Sequence, residues 1–136
     1  MRTILVIEDN AQVALRVTGP LRAAGHRVLA AGDRRNGLEQ FNANHVDLVV
    51  ADVSAPEMVG LEILMELSRR APGTRMVAIS DGCSWMASLS SLRLATALGA
   101  LRTVEQPTAP DDLLAAVDEA LHAPAPGMPD MRMFVG

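Results

Sequence analysis

The chain has 136 residues, of which 49% are hydrophobic, and its 12 basic and 16 acidic residues give a formal net charge of −4 at pH 7. A chain of this length can bury about 70% of its unfolded surface, so one compact domain without disulfides or a structural metal is expected. Cys83 is the only cysteine, and the start of the chain lacks a leader pattern, which predicts a cytoplasmic protein. No apolar run is long enough to span a membrane, and the interspersed charges exclude the clustered basic face typical of nucleic-acid binding.

Five short apolar runs rich in branched residues alternate with segments of helical length. Residues 4–7 and 48–51 are apolar at every position, which is typical of parallel strands covered on both faces. Parallel neighbours need right-handed crossovers, and these place helices on both sides of the sheet. The sequence therefore predicts an α/β fold with a doubly wound, five-stranded parallel sheet. The predicted strands are residues 3–7, 27–31, 47–51, 75–79 and 101–104.

The last helical segment has the clearest pattern and sets the predicted domain boundary. Residues 113–121 carry an apolar stripe at helical spacing, and Thr108 and Asp111 before it fit a capping box. No periodic element follows. We therefore expect residues 1–122 to form the domain and residues 123–136, rich in Pro and Met, to form a disordered tail.

Acidic residues collect where the predicted strands end. Glu8 and Asp9 end the first apolar run, Asp52 ends the third, Ser80 ends the fourth, and Gln106 closes the fifth. Ligands of open parallel sheets bind at the carboxyl ends of the strands, so these side chains are candidates for one site. Two unit charges about 5 Å apart repel by roughly 3 kcal/mol at an effective dielectric near 20. Three clustered carboxylates must therefore share a proton or recruit a cation, and a site made only of oxygen ligands suits Mg²⁺.

Simpler interpretations of the same residues stay open at this point. Glu8 and Asp9 could serve only to cap the first helix, because acids interact favourably with the dipole at a helix start. Ser80 could serve only to hydrogen-bond the neighbouring backbone, as serines at the ends of buried strands often do.

The spacing around Asp52 carries a family resemblance. A proline, Pro56, follows it after four positions and a glycine, Gly60, after eight, and Ser80 ends the next predicted strand. In this order and at these distances, about residues 2–122 resemble the receiver domain of response regulators in two-component signalling. The resemblance implies a flavodoxin-like sheet with strand order 2-1-3-4-5.

The resemblance also implies the roles of the site residues. Asp52 matches the phosphoacceptor, and Glu8 and Asp9 match the acidic pair that binds Mg²⁺ in the family. The backbone carbonyl of Ser54 matches a further metal ligand. Ser80 matches the hydroxyl residue that contacts the phosphoryl group.

Three departures from the family pattern lie on the side that senses the phosphoryl group. Gln106 stands where the family has a lysine, so a charged contact to a phosphoryl oxygen is missing. Asp81 stands where the family has a small residue, and its charge would repel an incoming phosphoryl donor. Thr103 stands where the family has an aromatic ring that rotates on activation.

Two functions are compatible with a pocket that keeps the metal-binding and phosphoacceptor residues but lacks the residues that sense the phosphoryl group. The first is a stand-alone receiver in which Asp52 accepts a phosphoryl group, with no enzymatic activity beyond slow self-phosphorylation and self-dephosphorylation. The second is a pseudo-receiver that binds partners without phosphorylation. A small phosphatase or nucleotide-binding enzyme is a third interpretation, but the glycine-rich loop is absent and Ser54 replaces the second acid of an Asp-x-Asp pair.

The resemblance implies protein partners. A histidine kinase or phosphotransfer protein would supply the phosphoryl group, and an unidentified downstream protein would receive the signal. A homodimer is compatible with the resemblance. Direct contacts with nucleic acid or a membrane are not expected.

Overall fold

The computed structural model describes residues 2–54, 59–80, 92–105 and 109–126. The strands are β1 (Thr3–Ile7), β2 (Arg27–Ala31), β3 (Leu48–Asp52), β4 (Met76–Ser80) and β5 (Arg102–Glu105). The helices are α1 (Ala11–Ala23), α2 (Arg34–Ala43), α3 (Val59–Arg70), the part of α4 at residues 92–97, and α5 (Pro110–His122). All strand pairs are parallel, and the order is β2-β1-β3-β4-β5, which confirms the predicted doubly wound sheet.

The strands occur where the apolar runs predict them, with one systematic difference. β1 and β2 have the predicted bounds, whereas β3, β4 and β5 each begin and end one residue later than predicted. Asp47 shows why β3 begins later, because its carboxylate accepts a hydrogen bond from the Thr3 backbone N–H at 2.8 Å before the strand starts. Asp52 and Ser80 are the last residues of their strands, as the sequence predicts.

The sheet separates two apolar layers. Alternate residues of β1 point to opposite faces, so Ile4 and Val6 belong to one layer while Leu5 and Ile7 belong to the other. The first layer is closed by α1 and α5, and the second by α2, α3 and α4. Because both faces of the sheet are covered, the strand sequences are continuously apolar. Within the described residues, no helix is both long and apolar enough to cross a membrane.

The start of α5 is marked by a proline. Ala109 occupies the N-cap position and makes no side-chain hydrogen bond, while Pro110 is the first helical residue. Thr108 lies outside the described residues, so the predicted capping box of Thr108 and Asp111 stays a prediction. Proline fixes the backbone angle that the first helical position needs, and Asp111 in the first turn interacts favourably with the helix dipole.

Gly60, in the first turn of α3, allows that helix to pack directly on the end of β3. A Cβ atom at this position would overlap the carbonyl oxygen of Asp52 and lie 2.6 Å from its carbonyl carbon. Backbone atoms at the end of a buried strand cannot move aside easily. The glycine eight residues after Asp52 is therefore required by the close approach of α3 to the backbone of that residue.

We expect Gly60→Ala to lower the free energy of unfolding by about 2–3 kcal/mol, because the added methyl group overpacks a rigid contact. Gly73→Ala is the matched control, since no atom lies within 4 Å of a Cβ built there, and it should change stability by about 0.5 kcal/mol or less. Chemical denaturation measures both values. Equal effects of the two substitutions would contradict the proposed packing of α3.

Candidate functional site

The sheet register brings three of the predicted site residues to one edge. The last residue of β1 pairs with Ala51 of β3, so Glu8 and Asp52 come next in register. Asp52 in turn pairs with Ile79, and Ser80 follows it at the end of β4. The predicted convergence of these side chains at the carboxyl ends of β1, β3 and β4 therefore agrees with the register of the strands.

Glu8 is buried, with only 6% of its surface exposed. Its backbone N–H donates a hydrogen bond to the carbonyl of Ala31 at 3.0 Å, and its Oε1 atom accepts one from the N–H of Asn10 at 2.9 Å. The second carboxyl oxygen, Oε2, is buried and has no hydrogen-bond donor among the residues that the structure describes. One oxygen of this carboxyl group is thus fixed, while the other lacks a compensating partner.

The carboxyl group of Glu8 contacts two other acids. Burial, followed by the contact with the Asp52 side chain, raises the pKa of Glu8 to about 9, and the contact with Asp9 adds to the increase. The hydrogen bond from Asn10 acts in the opposite direction but does not offset these effects. Without a bound cation, Glu8 therefore holds a proton at neutral pH, as expected for one of several carboxyl groups that share a pocket.

Asn10 was not singled out from the sequence, yet it organises this side of the pocket. Its Oδ1 atom accepts hydrogen bonds from the N–H groups of Gln12 and Val13 at 3.0 and 3.1 Å, which makes it the N-cap of α1. Asn10, rather than Glu8 or Asp9, is therefore the N-cap residue of α1. An asparagine directly before a helical pattern is the signal that could have identified the cap.

Asp52 is oriented by the backbone that follows it. Its Oδ1 atom accepts a hydrogen bond from the N–H of Ser54 at 2.8 Å. The neighbouring N–H of Val53 donates to the carbonyl of Ile79 at 2.8 Å, which keeps this turn attached to β4. Asp52 is partly exposed, and the hydrogen bond from Ser54 fixes one of its carboxylate oxygens.

Ser80 and Glu105 lie at the next positions along the same edge. Ser80 is 1% exposed, and in the β4–β5 ladder it pairs with Glu105, the exposed last residue of β5. Glu105 adds a further acid to the edge that the sequence analysis did not consider. Its position next to Gln106 in the chain could have drawn attention to it.

The oxygen atoms at this edge suit a divalent cation. Among the described residues, no three His, Cys, Asp or Glu side chains form a ready group of metal ligands. A bound cation would give the buried Oε2 atom a partner. It would also offset the repulsion between Glu8 and its acidic neighbours. Mg²⁺ needs only one or two carboxylates and takes its other ligands from carbonyls, water or phosphate.

Several predicted site features lie outside the described residues. These are Gln106, Asp81 and Pro56, and their roles remain predictions. Thr103 is described, and it lies on β5 with an exposed side chain. Of the predicted disordered tail, residues 123–136, the structure describes residues 123–126, where the Ala123 carbonyl accepts hydrogen bonds from Arg75. Residues 127–136 lie outside the described part of the chain, and their disorder stays a prediction.

A comparison of this chain with known protein families agrees with the geometry of the site. The model of the response regulator receiver domain matches residues 4–118, which is most of the chain. The chain belongs to this family. The match confirms the resemblance seen in the sequence, and it makes the protein a signalling domain of the two-component type.

Individual relatives of this receiver domain are moderately similar. The transcriptional regulatory protein GlrR of Escherichia coli is 27% identical over 123 residues, which cover 90% of this chain but only 27% of GlrR. The autoinducer 1 sensor kinase/phosphatase LuxN of Vibrio harveyi is 35% identical over 78 residues, covering 57% of this chain and 9% of LuxN. The receiver domain spans only a small part of both relatives.

A solved structure supports the same assignment. The crystal structure of a response regulator receiver domain protein from Clostridium thermocellum superposes with a TM-score of 0.77 at 28% identity. The superposition covers 89% of this chain and 94% of the other. The architecture of the two domains is therefore the same over almost their whole length.

The raised pKa of Glu8 predicts how the stability of the receiver domain depends on pH. The folded state binds this proton more tightly than the unfolded state, so the contribution of Glu8 to stability falls as the pH rises from about 4.5 towards 9. The slope can reach at most about 1.4 kcal/mol per pH unit. We expect Glu8→Gln to flatten the dependence between pH 6 and 9, as measured by chemical denaturation at several pH values.

Glu62→Gln, on the exposed side of α3, is the control for removing an acid elsewhere in the chain. Millimolar Mg²⁺ should restore stability at pH 8–9 in the native chain more than in Glu8→Gln. Parallel pH profiles for the native chain and Glu8→Gln would contradict the assignment of this proton.

Proposed function

We propose that this receiver domain accepts a phosphoryl group on Asp52 from the phosphohistidine of a histidine kinase or phosphotransfer protein. The observation that carries the proposal is the position of Asp52. It ends β3 with its carboxylate oriented by the Ser54 N–H and in contact with the buried Glu8. A partly exposed carboxylate with a fixed direction is suited to act as a nucleophile on an incoming phosphoryl group.

In the proposed reaction, a carboxylate oxygen of Asp52 attacks the phosphorus atom of the phosphohistidine. The phosphorus–nitrogen bond breaks, its electron pair stays on the imidazole, and an acyl phosphate forms on Asp52. The chain positions the nucleophile through the hydrogen bond between Asp52 and Ser54. Ser80 is proposed to hydrogen-bond a phosphoryl oxygen, which is the positioning work that phosphoryl transfer requires.

The acids around Asp52 would repel a phosphoryl group unless their charge is compensated. Glu8, Asp9 and Asp52 and the backbone carbonyl of Ser54 are the residues proposed to hold Mg²⁺. Bound Mg²⁺ would neutralise charge on the transferred phosphoryl group. Without the cation, the proton on Glu8 removes part of the repulsion within the pocket.

The chain contains no lysine, because all 12 of its basic residues are arginine. The missing family lysine at Gln106 therefore has no substitute of the same type elsewhere in the sequence. A charge-assisted contact to a phosphoryl oxygen contributes roughly 1.5–3 kcal/mol, which corresponds to about ten to a hundred times in an equilibrium constant. We accordingly propose that phosphorylation of Asp52 is weaker or shorter-lived than a lysine at this position would allow.

A second candidate function is a pseudo-receiver that binds protein partners without phosphorylation. The exposed Thr103 on β5 favours it, since this position carries no aromatic ring that could respond to a phosphoryl group. Gln106 and Asp81 favour it on the evidence of the sequence. In both candidate functions the output is a contact with another protein, and the cytoplasmic location stays a prediction.

Incubation with acetyl phosphate and Mg²⁺, followed by intact mass measurement, distinguishes the two candidates. We expect the native chain to gain one phosphoryl group, and Asp52→Asn to gain none because the nucleophile is absent. Asp47→Asn is the matched control, since that residue lies before β3 and bonds to β1 rather than to the pocket. An unchanged mass of the native chain, with or without Mg²⁺, would contradict phosphorylation and favour the pseudo-receiver.

Gln106→Lys tests the missing charge. We expect the equilibrium constant for phosphorylation to rise by about ten to a hundred times, as measured by the modified fraction at several acetyl phosphate concentrations. Gln40→Lys, near the end of α2, is the control for adding a lysine elsewhere. Identical modified fractions in the native chain and Gln106→Lys would show that residue 106 does not contact the phosphoryl group.

A further inference from the structure

Residues 8–10 join β1 to α1, and both ends of this turn are fixed. Glu8 is held to β2, because its backbone N–H donates a hydrogen bond to the carbonyl of Ala31 at 3.0 Å. Asn10 is held to α1, because its Oδ1 atom accepts hydrogen bonds from the N–H groups of Gln12 and Val13 at 3.0 and 3.1 Å. The turn that carries the acidic pair is therefore anchored to two different elements.

The backbone of Asn10 is fixed as well as its side chain. Its carbonyl accepts a hydrogen bond from the N–H of Ala14 at 2.9 Å, which belongs to the first turn of α1. Further along the helix, Val17 and Leu21 are fully buried in the apolar layer between α1 and the sheet. The first turn is thus attached to a well-packed helix, and α1 sets the direction of the Asn10 N–H.

This N–H is aimed at the acidic pocket. It donates to Oε1 of Glu8 at 2.9 Å, whereas Asp52 and Asp9, whose side chains also contact this carboxyl group, are acids. With Oε1 held, rotation of the carboxyl group is restricted, and Oε2 is the buried oxygen without a donor among the described residues. Asn10 thus connects the start of α1 to the orientation of Glu8, although its side chain bonds to the helix rather than to the pocket.

We propose that Asn10 is a positioning residue for the metal site, and that its side chain sets the affinity for Mg²⁺ through the orientation of Glu8. The inference rests on the proposed function, in which Glu8 is one of the Mg²⁺ ligands. Metal ligands are oriented by hydrogen bonds from residues that do not contact the metal, and loss of such a partner typically lowers metal affinity by about 10–100 times. Removal of the Asn10 side chain leaves its N–H in place but loosens the N–H from α1, so the expected loss is about tenfold, at the lower end of that range.

The experiment follows the backbone amide resonances of the full chain during a titration with MgCl₂. We expect Asn10→Ala to bind Mg²⁺ about ten times more weakly than the native chain. Asn10→Ser should restore most of the native affinity, because a serine hydroxyl also caps the start of a helix. A merely structural role of this residue outside the pocket would leave the affinity unchanged in both variants.

Asp33 provides the matched control. It is the N-cap of α2, where its Oδ1 atom accepts a hydrogen bond from the N–H of Asn36 at 2.7 Å. Asp33→Asn keeps a capping side chain and Asp33→Ala removes it, so this pair repeats the comparison of Asn with Ala at a second helix start. We expect these two variants to differ in stability, as measured by chemical denaturation, but to bind Mg²⁺ equally.

A measurement without Mg²⁺ tests the link to Glu8 itself. The protection of the residue 10 amide against hydrogen exchange reports its hydrogen bond to Oε1 of Glu8. This protection should fall in Asn10→Ala and should be the same in Asp33→Asn and Asp33→Ala.

Equal Mg²⁺ affinities of the native chain and Asn10→Ala would overturn the proposal, and so would unchanged protection of the residue 10 amide. A loss of affinity in Asp33→Ala relative to Asp33→Asn would overturn it as well, because it would trace the effect to stability alone. A native chain whose amides do not shift with Mg²⁺ is a different result, which would refute the metal site of the proposed function and the role of Asn10 with it.

Discussion

Glu8 is an acid buried against two other acids, and the organisation of the pocket follows from the need to compensate it. Its carboxyl group contacts Asp52 and Asp9, which raises its pKa to about 9. One of its oxygens is held by the N–H of Asn10, and the other has no donor in the described part of the chain. Such a cluster of acids is stable in a fold only when a proton or a cation compensates its charge. The same residues therefore make the pocket suitable for a divalent ion and a phosphoryl group.

The fold brings these acids together through strand order rather than through local sequence. Glu8 and Asp52 are more than 40 positions apart, yet they become neighbours because β1 and β3 are adjacent and parallel. The two apolar layers hold the strands in place. Gly60 then lets α3 approach the backbone of Asp52, which explains in physical terms why a glycine follows that residue at a fixed distance.

Much of the fold and part of the pocket could be predicted from the sequence. The apolar runs located all five strands, because strands covered on both faces are continuously apolar. The position of Asp52 and Ser80 at one edge could be predicted because parallel strands place their last residues at a common edge. The role of Asn10 and the proton on Glu8 could not, since both depend on contacts and burial that appear only when the chain is folded.

The first residues of β3 and α5 could likewise not be predicted exactly from the sequence. Asp47 bonds to the backbone of β1, and Ala109 rather than a polar residue precedes α5, so the exact ends of these elements depend on tertiary contacts and on proline. The contact that holds Ala123 against the domain was also hidden in the sequence. It depends on Arg75, which is distant along the chain and bonds to a backbone carbonyl that any residue could supply.

The central claim is that Glu8 carries the proton of the acidic pocket and that a divalent cation replaces it. The most direct measurement is the ¹³C chemical shift of the Glu8 side-chain carboxyl as a function of pH, with and without Mg²⁺. The account predicts a midpoint far above the ordinary value of 4.5, near 9 without the cation, and a lower midpoint when Mg²⁺ is present. A midpoint near 4.5 that does not respond to Mg²⁺ would contradict it.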